Sequence, residues 1–78
     1  MSKISNQLMT EIEELMTIDD KEYVRMRCAE LHGAIGVFWG CLTPKDEKQI
    51  MSAFTVLCGM VGTTPGRIER QFYTIDWE

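Results

Sequence analysis

The chain has little of what most small-protein chemistry requires. One histidine, His32, and three cysteines, Cys28, Cys41 and Cys58, are its whole supply of nitrogen and sulfur ligands or nucleophiles. No Cys-x-x-Cys or His-Glu-x-x-His spacing is present to bring several of them to one metal ion. No glycine-rich phosphate loop occurs, because Gly33, Gly36 and Gly40 fall inside a helical pattern and no lysine follows them. Period-two alternation long enough for a strand is absent, as are internal repeats and low-complexity tracts. The longest stretch without charge, from Gln49 to Gly66, is interrupted by Ser52, Thr55, Thr63, Thr64 and Pro65, which excludes a membrane span. Met1 to Leu8 carries one lysine and no continuous apolar run, unlike a secretory signal. An odd number of cysteines on apolar positions reads as free thiols, so a reducing, cytoplasmic setting is expected.

What is present is an ordinary folding composition. With 45% hydrophobic and 26% charged residues, the 78-residue chain reads as one folded domain, residues 1–78. A chain of this size buries only about 60% of its unfolded surface, so a second copy or a partner would add stability. The net charge of -4 is local: up to Glu22, Lys3 and Lys21 face Glu11, Glu13, Glu14, Asp19, Asp20 and Glu22, and the remaining charges balance. These six acids are the candidate partner-binding residues. Phosphate neutralisation by Lys and Arg supplies most nucleic-acid affinity, so the expected partner is a protein with a basic surface rather than nucleic acid, a membrane or a small molecule.

Helix signals recur along the chain. Ile4, Leu8, Ile12 and Leu15 follow a helical stripe, widened by Met9 and Met16 to nearly half the circumference. One neighbouring helix cannot cover so broad a face, so helix one is expected to lie between two helices or to cross to another subunit. Ser2 or Ser5 can cap its start, and Asp19 or Asp20 the start of helix two, with Glu22 in the first turn. Thr43-Pro44 followed by Asp46 and Glu47 opens helix three after a very short link, which makes helices two and three an antiparallel pair. Helix three carries Ile50, Phe54, Leu57 and Val61 on one stripe and stops at Gly62. Thr64-Pro65 repeats the cap-and-proline signal, predicting a shorter fourth helix from Pro65 to Tyr73 that buries Ile68 and Phe72. The expected class is all-α: three long helices plus a short C-terminal one, with helix two packed on two faces.

That last expectation rests on the segment from Tyr23 to Leu42. Val24, Cys28, Leu31, Ile35, Phe38 and Leu42 follow at alternating steps of four and three, which keeps bulky side chains on one stripe. Roughly 150° around the helix, Ala29, Gly33, Gly36 and Gly40 form a second stripe with almost no bulk. An interior glycine costs a helix about 1 kcal/mol relative to alanine, and close approach of another helix or chain would offset that. Ala29, Gly33, Gly36 and Gly40, with Met9 and Met16, are therefore the candidate self-association residues of a homodimer.

Other constellations are weaker. Cys28 and His32 stand four apart, half of a zinc site, but nothing completes it and Cys28 belongs to a buried stripe. The carboxylate pairs lie in turns and on outer faces, where neither partner is desolvated for acid-base work. No catalytic residue, metal or cofactor is assigned, and the chain is not expected to be an enzyme. The segment from Gly59 to Tyr73 resembles the second half of a helix-turn-helix, with Arg67, Arg70 and Gln71 outward as an alternative nucleic-acid-binding set. Glu69 between the arginines, Gly66 in the supposed reading helix and the lack of a basic flank count against it.

In size, acidity and want of catalytic groups the chain is similar in type to the small accessory and inhibitor proteins of phages and mobile elements, anti-restriction and anti-CRISPR proteins among them. That likeness implies action by occupying a larger machine. The expectation is a non-catalytic binding protein, and the alternative is a helix-turn-helix transcriptional regulator.

Overall fold

Each helix start carries an oxygen-bearing side chain that accepts from an otherwise unpaired backbone N–H three residues on. In the computed structural model, which describes residues 2–69, Ser2 caps α1 (Lys3–Leu15), Asp20 caps α2 (Lys21–Phe38) and Thr43 caps α3 (Pro44–Met60). A last helical segment covers 65–69, opened by Thr64, whose Oγ1 accepts from Arg67 N–H at 3.2 Å. The class is all-α, and among the described residues there is no strand.

The ends are set as locally as the starts. At the end of α3 the Thr63 N–H donates to Cys58 O at 2.9 Å and the Gly62 N–H to Gly59 O at 3.2 Å. This double bond pattern needs a left-handed residue just past the cap, and Gly62 supplies it with φ 75°. Helix two ends earlier than its apolar stripe predicts. The α-helix stops at Phe38, and Trp39–Cys41 tighten into a 3-10 turn closed by Leu42 N–H on Trp39 O at 3.2 Å. Gly40 therefore sits in this turn rather than mid-helix, Phe38 is 39% exposed, and the tightened backbone still delivers Leu42 to the core.

The core is a single cluster. Leu8, Ile12 and Leu15 of α1 meet Val24, Cys28, Leu31 and Ile35 of α2 and Ile50, Phe54, Leu57 and Cys58 of α3, closed by Leu42, Val61 and Ile68. α1 packs against both other helices, most extensively α3, so its broad apolar face is covered within the chain. Its buried row begins at Ser5 rather than Ile4, which is only half-buried. The Ser5 hydroxyl donates to Asp46 Oδ2 at 2.9 Å, a buried bond joining the starts of α1 and α3. Asp46, 7% exposed, thus ties two helices together as well as sitting in the first turn of its own. α2 and α3 run antiparallel, and Arg25 spans them by donating through Nη2 and Nε to Val61 O at 2.9 and 3.2 Å.

α2 contacts both α1 and α3, but through its bulky stripe and the flanks of that stripe. Ala29 is half-buried against the core, while Gly33, Gly36 and Gly40 are exposed. A Cβ built on any of these three glycines meets no atom of the described residues within 4 Å. The expected close approach along the light stripe is not made by any of the described residues. The molecule measures 36 × 30 × 15 Å.

Candidate interaction surfaces

The six acids of the first 22 residues do not form one free surface. Glu11 is half-buried and accepts from Arg27 Nη2 at 3.1 Å, and this bond favours the charged form of the guanidinium. Asp20 Oδ1 accepts from Tyr23 N–H at 3.1 Å as the α2 cap. Glu13 and Glu14, about 100° apart on α1, face different ways. Glu13 lines a groove between α1 and α3, whereas Glu14 lines the outer face with Lys3 and Gln7. Glu13, Glu14, Asp19, Asp20 and Glu22 are exposed.

The self-association set divides too. Met9 and Met16 are half-buried against the core of their own chain, and Met9 reaches the same α1–α3 groove. Gly33, Gly36 and Gly40 share the outward side of the α2 region with Met26, 56% exposed, and Val37, 77% exposed. From Leu31 to Pro44 no residue carries a formal charge, His32 being neutral. Phe38 and Trp39, each 39% exposed, extend this uncharged surface at the end of the helix.

The groove between α1 and α3 encloses about 800 Å³, with Met9, Ala53 and Val56 beside Glu13, Lys48 and Ser52. Sequence periodicity misses it, because Val56 lies off the apolar stripe of α3 and the groove exists only once α1 lies against α3. The buried Ser5–Asp46 bond was also missed. Its signal was available: Ser5 precedes Leu8, Ile12 and Leu15 at steps of three, four and three, so a polar residue heads a buried row.

The remaining candidates fall as follows. Arg67 is exposed on the segment 65–69, Ile68 beside it is buried, and Arg70 and Gln71 lie outside the described residues, as does Phe72. His32 is half-buried at the edge of the core, its ring 6.1 Å from that of Phe54. Cys41 is exposed, while Cys28 and Cys58 are fully buried and face each other across α2 and α3. Burial pushes the Cys28 thiol above its ordinary range, and burial beside Cys28 pushes Cys58 up to about 12. Among the described residues no three His, Cys, Asp or Glu side chains converge as an ion site, and no helix is long and apolar enough to cross a membrane. Compared with protein-family models, curated proteins and solved structures, the chain matches none.

Proposed function

We propose that this protein works without catalysis, by binding other proteins, and that its first partner is a second copy of itself. The observation that carries the reading is the empty space over Gly33 and Gly36. Two glycines inside a helix cost roughly 2 kcal/mol relative to alanine, and nothing among the described residues makes use of their small size. Contact with another chain would use it. Met26 and Val37 stand beside the glycines, so an antiparallel second α2 sets its large side chains over the gaps of the first. Two copies of a chain with net charge -4 repel each other, and the stretch from Leu31 to Pro44, which carries no charge, is where that repulsion matters least.

Dimer formation leaves the acids outside. Glu13, Glu14 and Asp19 then present negative charge to a basic protein surface in a reducing cytoplasm, in the manner of the inhibitor and accessory proteins of mobile elements. Light scattering coupled to gel filtration tests the first step: a dimer mass is expected, falling to a monomer in Gly33→Leu/Gly36→Leu with helicity retained. Reversing Glu13, Glu14 and Asp19 to lysine tests the second and should abolish capture of the native-host partner. Asp20→Asn is the appropriate neutral change at the cap, since asparagine also caps. A mobility shift at low salt that survives in the Arg67→Ala variant, or no shift at all, would remove Arg67 as a nucleic-acid contact.

A further inference from the structure

The α2–α3 pair is in strict antiparallel register. Arg25 reaches the Val61 carbonyl at 2.9 Å, and the His32 ring lies 6.1 Å from that of Phe54. Between these two contacts Cys28 stands three residues past Arg25 and Cys58 three before Val61, so the antiparallel arrangement brings both to the same level. The two thiols, each with no exposed surface, are thereby placed opposite one another across the α2–α3 seam. Both residues sit on the inward stripe of their helix, so the sulfurs meet inside the core.

We infer that Cys28 and Cys58 form a latent disulfide, which closes when the chain encounters a low-molecular-weight disulfide and then staples α2 to α3. The chemistry is thiol–disulfide exchange. The thiolate of one cysteine attacks the small disulfide, expels one small thiolate and leaves a mixed disulfide on the protein. The second cysteine loses its proton and displaces the other small thiolate. Two protein thiols are oxidised, and one small disulfide is reduced to two thiols.

Access decides the rate. Both thiols are closed to solvent and held protonated by burial, so exchange waits for α2 to open from α3. Cys41, exposed at the turn, reacts without opening. Once closed, the bond constrains a loop of about 30 residues in the unfolded chain. The inference is independent of the proposed dimer, since Cys28 and Cys58 face inward and the glycines outward.

The test uses the full chain with Cys41→Ser, which leaves only the buried pair, incubated with oxidised glutathione in a range of sub-denaturing urea. The expected product has lost two hydrogens, carries no glutathione, forms faster as urea rises, and melts about 10 °C higher until reductant is added. Adding Cys28→Ala to this background should abolish the gain and leave glutathione attached to Cys58. Persistent glutathione adducts on the Cys41→Ser protein, chains linked to one another, two unreacted thiols after exchange in urea, or an oxidised form that melts lower than the reduced one would each overturn it.

Discussion

The two long sides of α2 are built from opposite materials. On one, Val24, Cys28, Leu31 and Ile35 are buried against α1 and α3; on the other, Gly33 and Gly36 face open space beside exposed Met26 and Val37. The bulky side accounts for the fold, since removing these residues from water is what brings three short helices together. The light side weakens the helix and contributes nothing to the core. Two glycines that cost stability without serving the packing of the described residues are what the proposed dimer would use.

Substitutions on the two sides should differ in sign. Leu31→Ala and Ile35→Ala each remove buried side chain and leave a cavity, so each should cost about 2–5 kcal/mol in urea unfolding. A loss of a few tenths would mean the bulky side is not core. Next in size is the polar bond at the helix starts. Asp46→Ala leaves the Ser5 hydroxyl buried without its partner and should cost about 1–3 kcal/mol, and adding Ser5→Ala should bring little further loss.

Alkaline pH probes the bulky side without mutation. The native state holds the Cys28 and Cys58 thiols protonated where the unfolded chain, near its ordinary value of 9.0, has lost the proton. The unfolded state then binds fewer protons, so stability falls as pH rises above about 9, toward 12 for Cys58, at up to about 1.4 kcal/mol per pH unit for each thiol still protonated in the native state. The slope should be shallower in Cys58→Ala. On the light side the effect is smaller and reversed: Gly33→Ala and Gly36→Ala, with no atom to strike, should each raise the stability of the single chain by about 1 kcal/mol.

Much of this division was legible in the sequence. The caps at Ser2, Asp20 and Thr43, the left-handed stop at Gly62 and the stripe from Val24 to Ile35 are local signals, and local physics fixes them. The end of α2 was not legible, because periodicity carries on through Phe38 to Leu42 while the short link to α3 requires the backbone to tighten. Nor was the fate of Glu11, whose pairing with Arg27 depends on how α1 lies across α2. The light stripe was visible as a pattern, but whether a neighbour from the same chain covered it was a question of three-dimensional packing.

The most direct test of the central claim is the mass in solution of the wild-type chain beside Gly33→Leu/Gly36→Leu, each with its thermal unfolding followed by circular dichroism. The account predicts a dimer for the wild type and a monomer of unchanged helix content for the variant. A wild-type chain that stays monomeric at high concentration, or a variant that dimerises as before, would contradict it.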